Sequence, residues 1–268
     1  MKLVAVVRAP EHPEDAAAAV ATATGMTLAE ARMRLAPEPP ALLARLPPDQ
    51  ADALATALTR SGVSALAVEA SVPTDSDRTL AAKLGMTGTA VTFTPVGGDP
   101  LVVPWTEVLA ILRGTRTSRL EVERTQKTRS LSVGVALATG GLRVTRQTEK
   151  TFRSSEESPE QVILVYARDG GAALISERQL DISCLGPGLH PSSAANMAEV
   201  ARLLREKARG AFHDERLLRL GRRPLPFVLG SEGRATSGAT TVTRTDSRAS
   251  LDVLAEVLRQ AVVAGLLP

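Results

Sequence analysis

The sequence predicts an α+β protein in which a small β-α-α-β-α-β domain is followed by an antiparallel β-rich domain closed by a helix. Three observations lead there. Over residues 1–70, short apolar runs alternate with capped segments of helical period. From Ala90 to Ser176 the pattern shortens to strands separated by glycine turns. A helical stripe then returns at Met197, Val200, Ala201, Leu204 and Ala208, behind a possible cap at Ser192.

The elements follow in order. Residues 3–7 are a β-favouring run, and Pro13, Glu14 and Asp15 place proline and two acids where a helix begins. Gly25 ends that helix in a left-handed turn. Thr27 and Glu30 have the Thr-x-x-Glu spacing of a capping box, so a second helix starts at once and reaches about Leu35. Residues 41–46 read as a strand, Pro47, Pro48 and Asp49 open a third helix, Gly62 closes it, and residues 63–69 complete the unit. Residues 71–79 are polar with a proline and read as a linker at a domain boundary. Residues 90–94 and 101–103 make a hairpin around Gly97, Gly98 and Asp99, with Trp105 as a core anchor beyond it. Residues 108–112 are apolar and read as a strand or one helical turn; strands continue over 120–123, 131–138 and 142–152, turned at Gly140 and Gly141; residues 154–159 read as a polar loop, and 162–166 and 172–176 as strands. The β-rich domain is thus bounded at 80–228. Residues 229–248, rich in Gly, Ser and Thr, read as a flexible linker to an amphipathic terminal helix at 249–268.

The residues of the first domain carry a resemblance. Thr24-Gly25-Met26-Thr27-Leu28-Ala29-Glu30-Ala31-Arg32 lies without a gap against the Thr-Gly-Leu-Gly-Leu-Lys-Glu-Ala-Lys signature of the C-terminal domain of the bacterial large-subunit ribosomal stalk protein, and 53–62 against its closing Ala-Leu-x-x-x-Leu-x-x-x-Gly. Residues 2–70 therefore resemble that domain. The resemblance implies three helices on one face of a small antiparallel sheet, and a basic surface around the second helix that engages other proteins. It assigns partner binding to Arg32, with Arg34 adding a charge close by. The signature's first lysine is Ala29 here, and the lysine after the second strand falls on Leu43. The remainder is distantly similar to pleckstrin-homology-like bacterial domains.

Composition narrows the function. With 2% aromatic residues in 268, no row of base-stacking rings can be assembled. The pI near 9.4 accompanies a net charge of only +3, but the charge is uneven: residues 78–153 hold 12 basic and 5 acidic side chains, against 6 and 10 before them. One reading makes 113–153 a face for nucleic acid or anionic lipid, with Arg143 and Arg146 as its contacts; the favoured reading pairs those arginines within the chain or leaves them solvated. One cysteine and three histidines give no zinc spacing, and no phosphate loop, nucleophile elbow or His-Glu-x-x-His occurs. No cofactor or metal is expected. Cys184 beside Asp181 and near His190 offers an alternative as an enzyme site, against its reading as a small buried hydrophobe. The Gly186-Pro187-Gly188 loop reads as structural, and residues 213–216 as a solvated face. With no long apolar segment, the expectation is a cytoplasmic, non-enzymatic adaptor or regulator whose partner is a protein, with self-association through the terminal helix as a further option.

Overall fold

Five apolar residues in succession at 3–7 leave no polar face for water, and strand β1 (Lys2–Val6) is accordingly buried on both sides. The computed structural model describes residues 1–131, 145–220, 222, 233–237 and 240–268. They group into two units, one of Met1–Arg116, Pro159–Gly230 and Ser247–Pro268, the other of Thr117–Ser158 and Ser231–Asp246.

In the first unit β1 is the centre of an antiparallel sheet, flanked by β2 (Ala41–Leu46) and β3 (Ala65–Glu69). Val4, Val6, Leu43 and Ala65 face helices α1 (Pro13–Thr24), α2 (Leu28–Leu35) and α3 (Pro48–Arg60). The register of β2 slips opposite Val4 and Ala5, so Leu43 is an extra residue; Leu42 turns to the far face while Leu43 and Ala44 both face the helices. The local chemistry of the helices matches the sequence. Gly25 sits at φ 70°, its N–H donating to Ala21 O, and Thr27 and Glu30 close the capping box in both directions. Gly62 takes φ 80° beyond α3.

The far face of this sheet is not open. Leu3, Ala5, Leu42 and Val68 join a core with helix α6 (Arg248–Val263) and with strands β8 (Val108–Leu131), β9 (Thr145–Ala167) and β10 (Ala172–Ser176) through Ala110, Leu112, Leu164 and Leu174. Residues 1–70 therefore share their core with the rest of the unit, and no boundary falls at 71–79. That stretch forms a 3-10 turn at Asp75–Asp77, capped by Thr74, and leads into β4 (Thr79–Ala81). The terminal helix is internal as well. Ten of its residues are buried, including Asp252 and Glu256, because it lies between two apolar surfaces. Gly114 lets it approach: a Cβ there would meet Leu251 Cδ1 at 2.5 Å and Leu217 Cβ at 3.2 Å.

Within this unit β8, β9 and β10 run on to β4, and β11 (Phe212–Asp214) lies on the other side of β8. The pairs β4 with β10 and β11 with β8 are parallel, a departure from the antiparallel expectation; both strands arrive from distant parts of the chain and not through a hairpin. A third sheet, β5 (Lys83–Met86), β6 (Ala90–Thr94) and β7 (Leu101–Pro104), is antiparallel. It shares a second core with α4 (Ser193–Lys207), whose Met197, Val200, Ala201 and Leu204 form the stripe read from the sequence. Ser192 precedes α4, but its side chain makes no capping hydrogen bond. Trp105 is buried and donates Nε1–H to Thr87 O at 3.1 Å. A short helix α5 (Leu217–Leu220) completes the unit.

The second unit contains the distal parts of β8 and β9 with β12 (Gly233–Ser237) and β13 (Thr240–Asp246), in the order β12-β13-β8-β9. Strand β13 pairs antiparallel with 118–124 of β8. The linker expected at 229–248 thus carries two strands, favoured by its Thr-rich alternation. The loop expected at 154–159 is strand within β9. The turn expected at Gly140 and Gly141 lies outside the described residues.

Candidate functional site

Helix α2 is the least buried helix around the first sheet. Its one buried residue is Ala31, while Leu28 and Met33 are exposed, Met33 by 68%. Arg32 and Arg34 stand two positions apart, about 200° around the axis, so they leave opposite flanks of the helix with Met33 between them. Arg32 is exposed and bonded to Glu14 on α1, its Nε donating to Oε2 at 3.0 Å. Arg34 is half-buried and close enough to Glu30 to favour that carboxylate; Glu30 is held below the usual carboxylate range first by the Thr27 N–H and hydroxyl and then by Arg34.

Each arginine lines a different cleft. Arg32 and Glu14 border one of about 490 Å³ walled by Pro10, Pro13, Pro37 and Pro39. Arg34 borders a larger one of about 730 Å³ between the end of α1, β2 and α3, lined by Ala23, Met26, Leu43, Leu46, Ala53 and Ala57 among others. The charged side chains on its lining are Arg34 and Arg45. The sequence reading missed Arg45, since nothing in Ala-Leu-Leu-Ala-Arg-Leu says that this strand lies at the edge of its sheet. Arg32 is paired with Glu14, and Arg34 and Arg45 line the larger cleft.

The basic middle region divides. Arg113 donates to Gln161 Oε1 at 2.8 Å and lies 3.4 Å from Glu215; Arg116 is buried against Asp75 at 2.6 Å and Glu160 at 3.1 Å. These two are internal. Arg143 lies outside the described residues, and Arg146 is on β9, where only its backbone is described. Residues 213–216 do not form a solvated face: Asp214 ends β11, and Arg216 donates to Asp214 Oδ2 and to the carbonyls of Val7 and Pro39, filling the space beside β1.

Cys184 lies in a 3-10 segment, Ile182–Gly188, and packs against the second core. Burial, with Asp181 adding to it, pushes the thiol up, away from the thiolate that a nucleophile needs. His190 is held through its backbone, which exchanges two hydrogen bonds with the Asn196 side chain, and its ring acts on Glu199. The structure does not join these groups into a nucleophile and base.

The densest cluster of charge is internal to the first unit. The Arg78 side chain is 0% exposed and donates to Asp252 on α6 and to Pro73 O at 2.8 Å. Asp75 lies between Arg78 and Arg116, and Glu160 accepts from Arg116 and from Ser176. Burial pushes the Asp252 carboxyl up although Arg78 pulls the other way, yet the contact itself is that of an ion pair. The Tyr166 hydroxyl beside this cluster is buried and pushed up to about 12, and so keeps its proton. The cluster ties the segment before β4 to α6 through Arg78 and Asp252, and to β8, β9 and β10 through Arg116, Glu160 and Ser176.

Among the described residues no group of three or more His, Cys, Asp or Glu side chains is placed to hold a metal, and no helix is long and apolar enough to cross a membrane. Compared with models of protein families, with curated proteins and with solved structures, the chain matches none.

Proposed function

We propose that this chain is a protein–protein interaction module, an adaptor or regulator without catalytic activity of its own, and that its partner meets it at α2 and the neighbouring cleft. The observation that carries this reading is the cleft of about 730 Å³ with an apolar floor and two arginines as its charged lining. Such a surface fits a segment that pairs apolar side chains with carboxylates. The resemblance of residues 2–70 to a domain that engages proteins around its second helix points to the same place, as does the exposed Met33. Arg32 contributes where a partner carboxylate displaces Glu14.

The test is recovery of a partner from lysate of the native organism with the full chain and with an Arg34→Glu, Arg45→Glu variant of unchanged melting temperature. A protein retained by the wild type and by an Arg168→Glu control, and lost from the double variant, is the expected result. Equal recovery by all three contradicts the site.

A further inference from the structure

We propose that the partner segment is extended and acidic-apolar, and that it binds by adding a strand to the outer edge of β2; this rests on the interaction reading above. Three observations meet there. First, β2 is the end strand of the order β2-β1-β3, and among the described residues its main chain makes backbone hydrogen bonds to β1 alone. Its outer amides and carbonyls present a ladder without a second strand. Second, the cleft is lined by Leu43, Ala44, Arg45 and Leu46 in succession. Ala44 and Leu46 face the helices while Arg45 between them is exposed, so a cleft that touches all three opens along the edge of the strand and not over one face. Third, an added strand would alternate its side chains to match: one set enters the apolar space against Ala53, Leu54 and Ala57 of α3, the other meets Arg45, with Arg34 at the rim.

The edge is also limited in a way that suits one short segment. Pro39 and Pro40 precede β2 and Pro47 and Pro48 follow it, and the bulge at Leu43 leaves 44–46 as the regular stretch. Three residues at about 3.3 Å each give about 10 Å of ladder. That length is too short to hold a partner by main-chain bonds alone. Side-chain charge and apolar fit therefore set the selectivity, and carboxylates are the complement of the arginines. A second copy of this chain is a poor occupant, because its own β2 edge would set Arg45 near Arg45.

The experiment titrates the full chain with two fluorescent ten-residue peptides of identical composition, one alternating Val and Glu and one with the same residues at helical spacing. Amide exchange is followed in parallel. The alternating peptide is expected to bind at least tenfold tighter, to slow exchange at Ala44–Leu46, and to lose tenfold or more on N-methylation of alternate amides along one edge but not along the other. Arg45→Glu should weaken it by a similar factor. Tighter binding of the helical peptide with the same Arg45 dependence overturns strand addition while leaving the interaction reading standing. Binding of neither peptide, together with partner recovery that ignores Arg34 and Arg45, overturns both. A concentration-dependent dimer mass abolished by Arg45→Glu overturns the proposal in favour of self-pairing.

Discussion

Helices α2 and α6 both begin from sequences with apolar residues at helical spacing, and the structure uses them in opposite ways. Helix α2 spends eight residues to bury Ala31 and leaves Met33 and Arg32 in solvent. Helix α6 buries ten residues, among them two carboxylates, between the face of the β2-β1-β3 sheet and the strands around Leu112 and Leu164. The difference teaches that an apolar stripe does not say how many sides of a helix will be covered. A helix with one covered side keeps a surface for a partner; a helix covered all round must supply counterions for its own charges.

The sharpest way to break this contrast is at the α6 counterion. Arg78→Met strands Asp252 in the interior, and a urea melt should show a loss of about 3–5 kcal/mol. Adding Asp252→Leu removes the stranded charge and should restore most of that loss. A double variant as unstable as the single one would mean that the pair is not the link between α6 and residues 73–81. Next in size is Gly114→Ala, which drives a methyl into Leu251 and Leu217; about 1–3 kcal/mol is expected, read as a lower denaturation midpoint with an unchanged slope.

At α2 the expected effects are smaller. Thr27→Ala removes one half of the capping box and should cost about 0.5–2 kcal/mol. Glu30 is more acidic in the folded chain than in the unfolded one. Its contribution is therefore present above the unfolded value and lost as the pH falls through the folded value. Glu30→Gln should flatten the acid limb of the stability profile without lowering the plateau by more than the cap is worth. A wild-type profile that rises on acidification would contradict the assignment.

Much of the α2 side of this comparison was legible. The Thr27 and Glu30 spacing, Gly25, Pro48 and Gly62 are local signals, and each acts within four residues of its partner atoms. The α6 side was not, for a physical reason. Arg78 meets Asp252 across 174 positions and Arg116 meets Asp75 across 41, so a polar stretch at 71–79 reads as a linker although its Arg78 is buried in an ion pair. One signal was present and passed over: residues 3–7 do not alternate, and an unbroken apolar strand expects cover on both faces. At 229–248 the glycines outweighed the Thr-rich alternation that forms β12 and β13. The candidate site was half legible. Arg34 is legible as a charge beside Arg32, the position that the resemblance assigns, whereas Arg45 needed the strand order that makes β2 an edge.

Hydrogen exchange on the full chain, alone and with the recovered partner, measures both halves of the contrast at once. The account predicts that α6 and β1 exchange only through global unfolding, and that α2 and residues 43–46 exchange early in the free chain and slow markedly in the complex. Early exchange of α6, or protection on binding that leaves 43–46 unchanged, would contradict it.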